Sequence, residues 1–224
     1  MQVRAEKIKK DFIRKSKGTN IFTAVQSCDF TMNQGKLTVI RGRSGGGKST
    51  LMNMLSGILL PTEGIVYYDD VDIYSLDDDA LSKFRNENIG YVPQGKSAIT
   101  SLTVKENILL PQIMYGQEDE KRALELMEEF DIINLENAMP DELSGGELRR
   151  MAIARALIRK PKVLFADEPT GDLDDENTKV VFKSLKQVAE DGTAVLIVTH
   201  ESEAEGYADT VFRMDAGVLS EQNI

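Results

Sequence analysis

The sequence predicts an α/β fold built on an open parallel sheet, and three features of the chain indicate it. Two short apolar runs, Val163–Ala166 and Ala194–Val198, lack the polar alternation of half-exposed strands. Parallel strands that are covered by helices on both faces have this pattern. The segment Asn177–Glu190 between the two runs reads as a helix and completes a β-α-β unit. A third apolar run ends at Ile40 and leads directly into a glycine-rich loop.

The other elements are predicted from local patterns along the chain. They are a strand at Lys36–Ile40, a helix at Ser49–Leu59, a hairpin of Ile65–Tyr68 and Val71–Tyr74, a strand at Ile89–Val92, and a surface helix at Glu118–Phe130. The segment 97–157 is mainly helical, and we expect it to form a subdomain inserted into the sheet.

Size and charge restrict the class of protein and its partners. A chain of 224 residues with 41% apolar and 29% charged residues suits one domain over residues 1–224. The net charge of −10 repels phosphate polymers, so no nucleic acid is expected as a partner. The single cysteine, Cys28, fits a reducing cytoplasm. No secretory signal or membrane-spanning run is visible, so we expect any link to a membrane to come through a partner.

The glycine-rich loop predicts a phosphate-binding site, because it fits the pattern G-x-x-x-x-G-K-[ST]. Glycines let successive backbone N–H groups turn toward a phosphate, and the following helix adds its positive end. Lys48 can reach the β- and γ-phosphates of a nucleotide, and the Ser49 hydroxyl suits Mg²⁺. The candidate nucleotide-binding residues here are Gly42, Arg43, Ser44, Gly45, Gly46, Gly47, Lys48, Ser49 and Thr50.

Three further strands end in residues that carry chemistry, and ligands of open α/β sheets bind beyond the carboxyl ends of the strands. Asp167 is predicted to hold Mg²⁺, and the adjacent Glu168 to orient or deprotonate the attacking water. His200, the only histidine, can donate a hydrogen bond to a γ-phosphate. The amide of Gln94 can reach Mg²⁺ or the attacking water. The catalytic candidates are thus Glu168, His200, Gln94 and Lys48, and the metal candidates are Ser49, Gln94 and Asp167.

A second glycine-containing segment, Ser144–Glu147, precedes the helical run Leu148–Arg159. Ser144 and Glu147 form an S-x-x-E capping box, which by itself predicts only a well-capped helix. The two glycines between them would also let a phosphate approach the bare N–H groups closely. Since Gly42–Ser49 already supplies this chain's phosphate site, we expect the second segment to serve the nucleotide of another molecule. Its candidate binding residues are Ser144, Gly145, Gly146 and Glu147.

Taken in order, these motifs resemble the nucleotide-binding domain of ABC transporters over nearly the whole chain, from about residue 1 to 217. The resemblance implies a P-loop NTPase (RecA-like) core, an N-terminal antiparallel β subdomain and an inserted α-helical subdomain. It also implies ATP and Mg²⁺ as ligands, ATP hydrolysis, and a head-to-tail dimer with a second copy of the chain. Phe12 matches the aromatic residue that stacks on adenine, although the sequence alone fits a core position equally well. Asp172, in Gly171–Asp174, matches a loop that couples the two sites.

Finer features suggest a branch of that family. Residues 101–108 and 166–174 resemble the group that serves lipoprotein-releasing, macrolide-export and cell-division permeases. That likeness implies integral membrane permease partners and a position on the inner face of the cell membrane. Export and mechanical signalling both stay open at this point.

Two other classes are weaker alternatives. Soluble ABC ATPases that act on DNA separate the two nucleotide motifs by long coiled coils, and those that act on ribosomes usually fuse two domains in one chain. A P-loop kinase or GTPase leaves Ser144–Glu147 and His200 unexplained.

Overall fold

The computed structural model describes residues 1–16, 18–171 and 173–222, which form two sheets and a set of flanking helices. The strands are β1 (Val3–Ser16), β2 (Gly18–Met32), β3 (Leu37–Arg41), β4 (Glu63–Tyr68), β5 (Val71–Asp72), β6 (Ile89–Val92), β7 (Val163–Asp167), β8 (Ala194–Thr199), β9 (Thr210–Asp215) and β10 (Val218–Gln222). The α-helices are α1 (Lys48–Leu55), α2 (Asp78–Asn88), α3 (Val104–Ile113), α4 (Glu120–Glu129), α5 (Gly145–Leu157) and α6 (Asp175–Glu190). Short 3₁₀ helices lie at Ile73–Ser75, Ile133–Leu135, Pro140–Glu142 and Ser202–Tyr207.

The larger sheet has six strands in the order β10-β9-β3-β8-β7-β6. Its pairs are parallel except for the antiparallel pair of β9 and β10. The predicted open α/β sheet is therefore confirmed. Because β3, β7, β8 and β6 run in one direction, their carboxyl ends meet at a single edge of the sheet.

The smaller sheet is antiparallel, with the order β2-β1-β4-β5, and confirms the N-terminal antiparallel subdomain. Pairing between β1 and β2 shifts register at several points between Ala5 and Asp11. Lys7 lies in this stretch with a φ of 49°. These irregularities break the period-two alternation that would otherwise mark a strand in the sequence.

Buried apolar residues form one core on each face of the larger sheet. Leu37 and Val39 of β3 pack in the core formed with α3, α4, α5 and α6. Ile40 faces the opposite way and packs with α1 and the antiparallel sheet. Every residue of β7 and β8 is buried, as the unalternating apolar runs predict.

Several predicted boundaries were wrong. Helix α1 ends at Leu55 rather than Leu59 because Gly57 turns the chain with a φ of 72°. The strand predicted at Val71–Tyr74 keeps only two residues because Asp72 caps a 3₁₀ turn through the Tyr74 N–H.

Helix α5 starts at Gly145 and ends at Leu157, three residues earlier than Leu148 and two before Arg159. Helices α3, α4 and α5 all lie within segment 97–157. Among the described residues, none of the helices has the length and apolar character needed to cross a membrane.

Candidate nucleotide-binding site

The phosphate loop joins β3 to α1, and two of its glycines are required by close backbone approach. A Cβ on Gly42 would lie 2.0 Å from the carbonyl oxygen of Met214 in β9. Gly47 has a φ of 104°, and its Cβ would lie 2.3 Å from the carbonyl oxygen of Ala24. No L side chain fits at either position, so the loop keeps its backbone N–H groups uncovered where α1 begins.

Lys48 lies across the base of this loop. Its Nζ donates to the carbonyl oxygens of Gly42, at 2.8 Å, and Arg43, at 3.2 Å. The same Nζ lies 3.6 Å from Oε1 of Glu168, and only 5% of the side chain is exposed. A buried ammonium whose hydrogen bonds go to neutral carbonyls can accommodate a phosphate anion, so the loop fits the ligand that its sequence predicts.

Ser49 and Asp167 place two side-chain oxygen atoms next to each other at the sheet edge. The Ser49 Oγ–H donates to Oδ1 of Asp167 at 3.1 Å. Burial raises the pKa of Asp167, while the Ser49 hydrogen bond opposes that rise. Within the described part of the chain, no three His, Cys, Asp or Glu residues are grouped as a metal cage. One hydroxyl and one carboxylate suit Mg²⁺, which takes few carboxylates and fills its shell with water and substrate phosphates.

The carboxylate of Glu168 is buried and held by donors from the end of β8. Its Oε2 accepts from Thr199 Oγ1 at 3.0 Å and from the His200 backbone N–H at 3.3 Å. The His200 ring nitrogen Nδ1 lies 3.0 Å from the same oxygen, and 64% of that side chain is exposed. A neutral imidazole that donates from Nδ1 presents Nε2 as an acceptor. His200 would therefore have to be protonated, or to leave Glu168, before Nε2 could donate to a phosphate as the sequence predicts.

A pocket of about 200 Å³ unites most of the predicted residues. It is lined by Phe12, Phe22, Ala24, Ser44, Gly45, Gly46, Gly47, Lys48, Ser49, Thr50, Gln94 and Glu168. Phe12 lies on the wall of this pocket and is 39% exposed, so it does not occupy a core position. Sequence reasoning missed Phe22, which pairs directly across from Phe12 in the β1–β2 hairpin. Phe22 could have been identified only by recognising that hairpin and its register.

Ser144–Glu147 forms the N-terminus of α5 and does not contribute to the lining of this pocket. Ser144 Oγ accepts from the Glu147 N–H at 3.3 Å, and Oε2 of Glu147 accepts from the Ser144 N–H at 2.7 Å. These bonds complete the predicted capping box, and the Ser144 hydroxyl lowers the pKa of Glu147. Ser144 and Gly145 are exposed. Asp172, the other predicted nucleotide contact, lies outside the described residues.

Gly146 has a packing role that the sequence reasoning did not foresee. It is buried, and a Cβ there would lie 2.5 Å from Oδ1 of Asn177 on α6. That amide is fixed in place because its Nδ2 donates to Asp174 and its Oδ1 accepts from Arg150. Close contact between α5 and α6 therefore requires glycine at position 146, in addition to the anion access that the sequence predicts for both glycines. Gly145 is exposed, and a Cβ there would meet only Leu173 at an ordinary 3.6 Å, which is consistent with that prediction.

We expect Gly146→Ala to lower the free energy of unfolding by about 1–3 kcal/mol, because the new methyl group overpacks the α5–α6 contact. Gly145→Ala is the matched control, since its Cβ would make only an ordinary 3.6 Å contact with Leu173. Urea unfolding followed by circular dichroism measures both. Equal stability of the two variants would contradict the packing role of Gly146.

Comparisons with known proteins agree on one family. The profile of the family described as ABC transporter matches residues 25–171. The chain is 37% identical over 213 residues to the uncharacterized ABC transporter ATP-binding protein MJ0796 of Methanocaldococcus jannaschii, covering 92% of this chain and 91% of that protein. It is 37% identical over 207 residues to the lipoprotein-releasing system ATP-binding protein LolD of Syntrophotalea carbinolica, covering 91% of each.

Two further comparisons extend this result. The macrolide export ATP-binding/permease protein MacB of Chlorobaculum tepidum is 36% identical over 204 residues, which cover 90% of this chain and 31% of that protein. The dimeric structure of the ATP-binding cassette MJ0796 in a post-hydrolysis state, bound to ADP and Pi, matches with a TM-score of 0.88. That match has 32% sequence identity and covers 99% of this chain and 100% of the other.

Proposed function

The chain belongs to the ABC transporter family, and from that premise we propose that its ATP-driven dimer powers conformational change in a membrane permease. It is an ATP-binding subunit and an ATPase, with ATP and Mg²⁺ as its ligands. The permease is proposed to be an exporter or a mechanical transmission complex, as the likeness to LolD and MacB suggests. The observation that carries the proposal is the placement of Lys48 and His200 beside the two oxygens of the Glu168 carboxylate at the sheet edge.

We assign the following roles to the residues of the site. The loop Gly42–Thr50, with Lys48, binds the phosphates, and Phe12 packs against the adenine. Ser49, Asp167 and Gln94 would hold Mg²⁺, which neutralises phosphate charge when bound. Glu168 orients or deprotonates the attacking water.

His200 is proposed to help position Glu168, the base, beside which it lies. Its Nδ1 contact steadies the Glu168 carboxylate, while its exposed ring is available to a nucleotide at the same sheet edge. Phosphoryl transfer depends mainly on such positioning and on charge neutralisation.

We propose that Ser144, Gly145, Gly146 and Glu147 complete the site of a second copy of the chain. This segment is separate from the pocket of its own chain, and the N-terminus of α5 offers a positive dipole end to a phosphate. The related cassette MJ0796 is dimeric. Asp172 is proposed to couple the two sites across the dimer.

The inserted helical segment is proposed to contact the permease. Residues 1–224 would act as one ATP-binding domain, with 97–157 as its helical subdomain. Four exposed large apolar side chains lie in this segment, and Met114 is the most exposed of them at 72%. The others are Ile99, Ile113 and Tyr115. Such a contact would hold the chain at the cytoplasmic face of the cell membrane.

Purification of the tagged chain from detergent-solubilised membranes of its native cell tests this proposal. We expect an integral membrane protein to co-purify, and Met114→Asp to lower its recovery at least several-fold because a charge enters the apolar contact. Val180→Asp is the matched control, since Val180 is also an exposed apolar residue but lies on α6. Recovery of the chain without any membrane protein would contradict the permease assignment.

A further inference from the structure

The proposed catalytic base, Glu168, has a backbone conformation that needs support. Its φ of 44° lies in the left-handed region, which a non-glycine residue occupies at a cost. Its N–H donates to the carbonyl oxygen of Val198 at 2.8 Å, and its own carbonyl oxygen accepts from the Gly171 N–H at 3.2 Å. These bonds fix the backbone but leave the direction of the carboxylate to other contacts.

Thr199 donates a side-chain hydrogen bond to that carboxylate. Its side chain is fully buried, and Oγ1 lies 3.0 Å from Oε2 of Glu168. The same Oγ1 accepts from the Glu201 N–H at 3.1 Å. A hydroxyl has a single proton, and a carboxylate can only accept, so the Thr199 proton is committed to Glu168. The Glu201 N–H on the other side of the oxygen holds the hydroxyl in that orientation.

Further hydrogen bonds connect Thr199, through Glu201, to Thr170 in the loop that follows Glu168. Oε2 of Glu201 accepts from Thr170 Oγ1 at 2.6 Å, and Thr170 is buried. The chain of hydrogen bonds therefore starts at Glu168, passes through Thr199 and Glu201, and returns to Thr170 two residues beyond the start. The segment 199–201 thereby clamps the segment 168–170.

Lys48 explains why this clamp matters for hydrolysis. Its ammonium lies 3.6 Å from Oε1 of Glu168, so the carboxylate has a competing cationic partner within reach. Full engagement with that ammonium would turn the carboxylate away from a water molecule, because charge-assisted pairs are strong in a buried site. The Thr199 hydroxyl holds the opposite oxygen, together with the backbone N–H and Nδ1 of His200, and resists that rotation.

We propose that Thr199 is a positioning residue for the base, with the Glu201–Thr170 hydrogen bond as its second anchor. The inference rests on the proposed function, because it takes Glu168 to be the base. Thr199 touches neither nucleotide nor water in this role. It acts through Glu168 alone.

The test compares Thr199→Val with Thr199→Ser in the full chain. Valine keeps the shape and removes the hydroxyl, whereas serine keeps the hydroxyl and removes only a methyl group. We expect valine to lower kcat for ATP hydrolysis about 10- to 100-fold with KM changed less than about twofold, since a hydrogen bond to a charged group is lost. Serine is expected to retain kcat within about threefold. Affinity for a fluorescent ATP analogue, measured on both, is expected to stay unchanged.

Three results would overturn the inference: normal kcat in Thr199→Val, equal loss of kcat in both variants, or loss of ATP affinity in step with kcat. A second comparison adds Thr199→Val to Glu168→Gln, where no further loss is expected because both act through one carboxylate. Glu168→Gln alone separates a failure of the base assignment from a failure of the role proposed for Thr199. Normal hydrolysis in Glu168→Gln contradicts the assignment of Glu168 as the base in the proposed function, whereas an inactive Glu168→Gln beside a normal Thr199→Val contradicts only the role of Thr199.

Discussion

Glu168→Gln is expected to lower the rate of ATP hydrolysis by roughly 100- to 10,000-fold, the usual contribution of a general base. Glutamine has the same shape and can still accept from Thr199 through its amide oxygen. It cannot take a proton from water, and it loses the charge that faces Lys48. ATP binding through Gly42–Thr50 is expected to persist, so an ATP-loaded dimer accumulates. Single-turnover hydrolysis of radiolabelled ATP measures the chemical step directly.

Glu203→Gln is the matched control for that change. Glu203 is an exposed glutamate a few residues beyond His200, in the 3₁₀ helix Ser202–Tyr207. Its replacement removes the same charge from the protein without touching the pocket, so hydrolysis is expected to stay normal. A Glu168→Gln variant that turns over ATP at the normal rate would contradict the assignment of the base.

Ser144→Arg is expected to abolish dimer-dependent hydrolysis while the monomer binds ATP with unchanged affinity. The long side chain would fill the exposed N-terminus of α5, where the partner's nucleotide is proposed to sit. The pocket of about 200 Å³ around Lys48 does not include Ser144, so binding within one chain is preserved. Equilibrium binding of a fluorescent ATP analogue at low protein concentration, together with hydrolysis over a range of protein concentrations, separates these effects.

Loss of the helix cap needs its own control, because Ser144 accepts from the Glu147 N–H. Ser144→Ala removes the cap without adding bulk, and such a change costs about 1 kcal/mol of helix stability. Its hydrolysis is expected to fall much less than that of Ser144→Arg. If ATP binding by the Ser144→Arg monomer disappears, the segment serves its own chain and the assignment to the partner is wrong.

The sheet was predictable from sequence where burial leaves an unambiguous pattern. Strands β7 and β8 are buried along their whole length, so their apolar runs gave boundaries correct to one residue. Strands β1 and β2 were not visible as strands, because register shifts between Ala5 and Asp11 interrupt the alternation. The end of α1 was misplaced because apolar residues continue past Gly57, where the chain has already turned.

The pocket was predictable for a different reason. Its residues from Ser44 to Glu168 follow β3, β6 and β7, and parallel strands bring their carboxyl ends to one sheet edge whatever the sequence distance between them. The features that were missed depend on contacts between distant segments. Phe22 joins the pocket only through its pairing with Phe12, and Gly146 is explained only by the position of Asn177. A single sequence contains no local signal for either contact.

In the proposed dimer, one chain holds the nucleotide and a second copy closes the site through Ser144–Glu147. Light scattering on size-exclusion fractions of Glu168→Gln with ATP and Mg²⁺ tests this arrangement. We expect twice the monomer mass with ATP, the monomer mass with ADP, and the monomer mass with ATP once Ser144→Arg is added. A dimer that persists in the Ser144→Arg, Glu168→Gln double variant would contradict it, and so would a Glu168→Gln chain that binds ATP and stays monomeric.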